Sequence, residues 1–287
     1  MMRLIFSSLV FAYVGCGQRE KLQEDSGLFD EEPSFEDSGQ EPSSSPTSEP
    51  ETDPEPASEP EEEDCPDGVI CTSSFPFSHT GDTSQSTVRE FDSYACAPST
   101  DESGTEIYYR LTIPKSGFLA LELSEMESGA DVDVHLLASL DPQDCIDRGH
   151  WLAGSWVTPG TYWVVADSWV SSSGSELSGA YTLRAGLTTE EDLMEEGIAA
   201  DVAEDAIVAF DVAWLNGELS SFLYSITDFS LHSAQERFWI YDLAGQNLLY
   251  NLHVAHGQAS SDSSDESYAS TFSNIPDSYQ SLSLIHI

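Results

Sequence analysis

Between Cys65 and Leu187 the chain consists of short apolar–polar alternations broken by turns, and this pattern restricts the fold more than any other feature. The run 105–113, TEIYYRLTI, stops at Pro114-Lys115-Ser116-Gly117, and Phe118 to Leu123 opens the next. Val132 to Leu137, Thr161 to Ala166 and Ala180 to Arg184 repeat the theme. Period-two runs rich in β-branched and aromatic residues are strands. Several of them in succession without helices predict a mainly β architecture, an antiparallel β-sandwich over residues 65–187.

The sequence on the N-terminal side cannot belong to that core. Within residues 17–64, the stretch 30–64 is almost entirely Glu, Asp, Ser and Pro. Such a segment buries too little apolar area to offset chain entropy, so it reads as a disordered, charge-stiffened tether. Ahead of it, residues 1–16 hold Arg3, the apolar run Leu4 to Val14, and Gly15-Cys16. The run is too short to span a bilayer and suits a signal-peptide core. The 52 acidic and 9 basic residues give a formal charge of −43, which excludes an electrostatic footprint for nucleic acid and favours a soluble monomer. No cofactor and no metal site are expected.

Four cysteines follow Cys16: Cys65, Cys71, Cys96 and Cys145. An even number suits two bridges in an oxidising compartment, with three connectivities open. Cys65 with Cys71 and Cys96 with Cys145 is the pairing adopted, since the first closes a short loop at the domain entrance. The spacings lack the paired C-x-x-C of a zinc site. Asp131 and Asp133 share a strand face and suggest a cation site together with Asp167; the plainer reading, adopted here, leaves them solvated between Val132 and Val134. Trp151, Trp156, Trp163 and Trp169 either stack on sugar rings or fill the sandwich, and the second reading is preferred.

Helix returns after residue 187. Thr188 and Glu191 fit a capping box, Gly197 interrupts the helix, Ile207, Phe210 and Trp214 recur at helical spacing, and Asn216-Gly217 ends it. Phe222 to Phe229, Arg237 to Leu243 and Leu248 to Val254 predict three strands, the last two forming a hairpin across residues 244–247. His256-Gly257 follows at the lip of the sheet, as a candidate substrate groove. His253 and His256 face opposite ways in extended chain, which argues against a metal pair.

Two stretches resemble known families. Asp228-Phe229-Ser230, Ser233, Arg237, Trp239, Asp242-Leu243, Val254-Ala255-His256-Gly257 and Phe272-Ser273-Asn274 resemble the start of the murein L,D-transpeptidase (YkuD-like) catalytic domain, over about 204–280. The phrases DESGTEIYYRLTIPKSG, ADVDVHLL and PGTYWVVAD resemble a bacterial pre-peptidase C-terminal (PPC) domain, a jelly-roll-like accessory module without catalytic residues. Val14-Gly15-Cys16 resembles the end of a bacterial lipobox. That implies lipidation of Cys16 and, with Gly17 next, an outer-membrane anchor facing periplasm or cell surface.

The transpeptidase resemblance implies acyl transfer on peptidoglycan stem peptides by a cysteine thiolate beside a histidine. Neither family residue has a counterpart here, so both are expected beyond residue 287, and no catalytic residue is assigned within the chain. Leu282 to Ile287 resembles translated adapter sequence. Residues 188–287 therefore read as a helix plus an incomplete β-rich transpeptidase-like domain, inactive as it stands, with Trp239, Ile240, Leu248 and Leu249 expected on exposed apolar faces. The alternative is a non-catalytic surface lipoprotein whose sandwich binds glycan or protein.

Overall fold

The computed structural model describes residues 10–14, 65–273 and 275–281. Cys16, the tether 17–64, Asn274 and residues 282–287 lie outside the described residues, so the lipidation and tether expectations do too. Among the described residues no helix is long and apolar enough to cross a membrane.

The molecule is mainly β. One sheet runs in the order β3 (Phe77–Asp82), β10 (Ala180–Thr188), β5 (Gly117–Ser124), β8 (Leu152–Val157), all antiparallel. The facing sheet runs β2 (Val69–Thr72), β4 (Glu106–Ile113), β9 (Gly160–Ser168), β6 (Val132–Leu137), β7 (Cys145–Gly149), antiparallel except for β2 beside β4. Alternation along each strand sends Leu119, Leu121, Leu183 and Ala185 from one side, and Tyr109, Leu111, Val134 and Val164 from the other, into one buried layer. This is the antiparallel sandwich that the period-two runs predict.

The outer face of the second sheet is also covered. The segment from 83 to 102 folds across it, so Phe91 and Tyr94 pack with Tyr108, Leu137 and Val165. The Cys96–Cys145 disulfide, with a Cα–Cα distance of 5.6 Å, ties this cover to β7, while Cys65–Cys71 closes the entrance to β2.

The outer face of the first sheet supports the C-terminal part. Phe118 and Ala120 of β5 are fully buried, against Leu193 of α1 (Glu190–Glu195) and Val202, Ile207 and Phe210 of α2 (Ala200–Leu215). β5 is thus buried on both faces, which explains its nearly continuous apolar run FLALEL. The third sheet, β11 (Leu223–Asp228), β12 (Phe238–Asp242) and β13 (Asn247–Leu252), shares this core through Tyr224, Ile226, Trp239 and Tyr241. The backbone of β1 (Val10–Val14) lies parallel to β11 at the sheet edge.

Two sequence expectations need correction here. The helix cap is Thr189 with Asp192, one residue later than read, because Thr188 still pairs with Phe118 in the β10–β5 ladder. Trp239 is buried, with its indole N–H donating to Glu196 O at 3.1 Å, because α1 and α2 roof that side of the sheet. Leu248 packs against the same core and Ile240 is half-buried, whereas Leu249, Tyr250 and Leu252 are exposed.

Candidate functional site

The C-terminal site is built around Arg237. Its position just before β12 lets the backbone N–H donate to Leu252 O at 3.0 Å, while the side chain turns inward and is fully buried. Each end of the guanidinium finds an acceptor: Nη1 donates to Leu231 O at 2.6 Å, and Nε and Nη2 donate to Val254 O at 3.1 and 3.0 Å. Its carbon sits 5.0 Å from the centre of the Phe229 ring. Burial lowers the Arg237 pKa, and Asp228 opposes that shift. An arginine buried this way fixes three backbone segments relative to one another.

Nη2 of Arg237 also lies 2.9 Å from Nδ1 of His256. Arginine has no lone pair to offer, so Nδ1 must accept and the imidazole proton resides on Nε2. That nitrogen is 3.2 Å from Ser261 Oγ, which accepts it. Burial, then the Arg237 charge, hold the His256 pKa below the ordinary histidine value. The result is a neutral imidazole of fixed orientation in the loop after β13, half-buried beside Phe229 and Ser261. Gly257 is close to Tyr279 O, where a Cβ would come within 2.6 Å, and its N–H donates to Ser281 Oγ at 2.8 Å. His256 and Gly257 thus sit together, on a segment clamped by residues 279–281.

The other residues of the same pattern serve as framework. Asp228 caps the following turn, accepting from Ser230 N and Oγ at 2.8 and 2.6 Å. Asp242 is ion-paired with Arg184 of β10 and accepts from Gly245 N at 3.1 Å, joining the hairpin to the sandwich. Phe229 packs on Phe272 at 5.9 Å. His253 Nε2 donates to Ala234 O at 2.9 Å, apart from His256. All four cysteines in the described residues are in disulfides, so none offers a thiolate.

The sandwich holds a second concentration of chemistry that the sequence reading placed in solvent. Asp133 and Asp167 do alternate outward from the sandwich core, but the 83–102 segment covers that face and both are fully buried. Glu102, Glu106 and His135 are buried with them. Tyr94 stacks on His135 at 3.6 Å between ring centres and donates to Asp167 Oδ2 at 2.7 Å. Arg148 is ion-paired with Asp133 and stands 3.3 Å from Glu102 Oε1. Burial pushes the Asp167 carboxyl up to about 10, helped by the charge of Glu106, and burial pushes Glu102 up to about 9. Burial lowers His135 well below the histidine range. Asp131 lies at the rim, half-buried, 3.4 Å from His150 Nδ1, and Asp167 is engaged by Tyr94 rather than joined to it. His135, Glu102 and His150 carried no sequence signal, because their partners are far away along the chain.

The four tryptophans do not form one surface. Trp163 packs toward Leu137 and Val165, whereas Trp151 is 56% exposed and Trp156 38%. Trp151 lines a cavity of about 360 Å³ with Arg148, His150, Trp214 and Ser220, where the sandwich meets the end of α2.

Residues 194–284 match the model of the L,D-transpeptidase catalytic domain. That segment contains α2, the β11–β13 sheet and the Arg237–His256–Ser261 chain. Among solved structures, the sandwich is similar to the pre-peptidase C-terminal domain of collagenase from Bacillus anthracis, at 12% identity, covering 43% of this chain and 99% of that one, with a TM-score of 0.28. No curated protein matches the sequence.

Proposed function

We propose that this is a cell-envelope protein of the L,D-transpeptidase type, acting on peptidoglycan stem peptides, exported and held by a lipid on Cys16. The observation that carries the reading is the catalytic-domain match over 194–284, with the Arg237–His256 pair inside it. Acyl transfer needs a thiolate, an adjacent base and oxyanion donors. Cys65, Cys71, Cys96 and Cys145 are bridged, and Cys16 is assigned to the anchor, so residues 188–281 are assigned framework and groove, with no thiolate among the described residues. His256 is assigned a positioning role: a neutral imidazole locked by Arg237 and Ser261 fixes the lip against which a stem peptide lies.

The test is to express the locus with its downstream codons and incubate the product with a tetrapeptide muropeptide. Release of the terminal D-residue and formation of cross-linked dimer are expected, with neither from residues 1–287 alone. Absence of both products from the extended protein refutes the reading. A second reading, a glycan-binding surface lipoprotein, is favoured by the exposed Trp151 beside the 360 Å³ cavity. Binding of purified sacculi that is lost in Trp151→Ala, without turnover by the extended protein, supports it.

A further inference from the structure

Asp133 Oδ1 is the anomaly of the sandwich. The side chain is fully buried, yet this oxygen has no hydrogen bond, although His150 Nδ1 is only 2.6 Å away. With a proton on Nδ1 this contact is an ion pair; with Nδ1 unprotonated, two lone pairs face each other at that distance, which a cation bound to both would relieve. Asp131 Oδ1 completes the group at 3.4 Å from the same nitrogen, and the three ligand atoms lie within 4.8 Å of one another. Around a cation with bonds of about 2.0–2.2 Å, neighbouring ligand atoms are separated by roughly 3–3.5 Å; the His150–Asp131 distance falls in that range, and the shorter His150–Asp133 contact would open on binding.

We propose that Asp131, Asp133 and His150 form a binding site for one divalent transition-metal cation of the Zn²⁺ class. Two carboxylates and an imidazole suit that class, whereas Ca²⁺ takes oxygen ligands alone. The two sides of Asp133 have separate tasks. Oδ2 is paired with Arg148, which also reaches Glu102, so the guanidinium fixes the ligand's orientation from behind, as outer partners of metal sites do. The neighbouring group of Glu102, Asp133 and His135 is closed to a cation by the same guanidinium. Asp131 and His150 are 32% and 59% exposed at the side chain, so the outer group is reachable from solvent and has room for water at the remaining positions. A cation there ties the start of β6 to the β7–β8 turn. That turn carries Trp151 and forms one wall of the 360 Å³ cavity, so occupancy orders the cavity wall.

The test titrates the full chain, stripped with chelator, with Zn²⁺ by calorimetry and follows the thermal midpoint. One equivalent is expected, with a rise in the midpoint. Asp131→Asn and His150→Ala each weaken that binding at least tenfold and abolish the rise, and both side chains are exposed enough for the variants to fold, which unchanged circular dichroism verifies. Asp133 is left intact because it also holds Arg148. Ca²⁺ at the same concentration gives no His150-dependent shift. The proposal is overturned if no stoichiometric binding occurs, if both variants bind Zn²⁺ as the parent does, or if Ca²⁺ binds equally well and indifferently to His150.

Discussion

Two buried side chains set the residue-scale energetics. Arg237 satisfies two carbonyls and an imidazole at once, so Arg237→Met leaves those acceptors in a dry interior at about 1–3 kcal/mol for each one orphaned. His256→Ala removes one partner and leaves Leu231 and Val254 served, so its cost is roughly 1 kcal/mol. Urea denaturation followed by tryptophan fluorescence should rank Arg237→Met well below His256→Ala, and equal effects would show that the imidazole anchors the arginine. Asp167 works through protons. Its folded pKa of about 10 lies above the unfolded value near 3.8, so the protonated form is bound more tightly when folded. Its contribution is fully present below the unfolded pKa and is lost as pH rises toward the folded one. Thermal midpoints in chelator should therefore fall from pH 5 to pH 9, and Asp167→Asn should flatten that slope; a slope unchanged by the substitution removes Asp167 as its source.

At the scale of elements, the junction after the sandwich depends on backbone chemistry. Thr189 and Asp192 form a reciprocal cap, and Gly197 turns the chain between α1 and α2 with φ of +87°. Thr189→Ala should cost about 1 kcal/mol, and Gly197→Ala a similar amount from the left-handed φ with no steric clash, both measurable by chemical denaturation. This junction also shows what the sequence could disclose. Gly197, the Asn216-Gly217 stop and the β12–β13 hairpin follow from local residue chemistry and were legible, as were the strands with strong alternation. The cap was misplaced by one residue because Thr188 belongs to a ladder with Phe118, a contact 70 positions away. The strands β7 and β8, with sequences CIDRG and LAGSWV, carry too few apolar alternations to signal themselves and exist through pairing with β6 and β5. The same limit hid the acid cluster: alternation correctly pointed Asp133 outward, but nothing local announced that residues 83–102 would cover it.

The whole molecule is organised by β5, whose two faces serve two cores. Leu119 and Leu121 belong to the sandwich interior, Phe118 and Ala120 to the interior shared with α1, α2 and the third sheet. Phe118 meets Phe210 at 5.0 Å and Phe222 at 6.2 Å, edge-on in both cases. Around this contact Arg184 pairs with Asp242, Gly186 has no room for a Cβ beside Leu243 O, and Thr188 Oγ1 donates to the same carbonyl at 3.4 Å. A C-terminal part mounted this way has no independent interior, because one wall of its core is a strand of the sandwich. Melting of the exported chain should therefore show the C-terminal part and the sandwich unfolding in one transition, with protease cutting the 188–281 region only as the sandwich opens. Phe118→Ala should remove about 3–5 kcal/mol by leaving a cavity at the shared wall. Its signature is separation of the two parts: the sandwich, still closed by Leu119, Leu121 and the Cys96–Cys145 bridge, should survive to a higher temperature than the C-terminal sheet. Limited proteolysis across a temperature series, read by mass, distinguishes the cases, and two transitions in the parent chain would show that the shared core does not couple them.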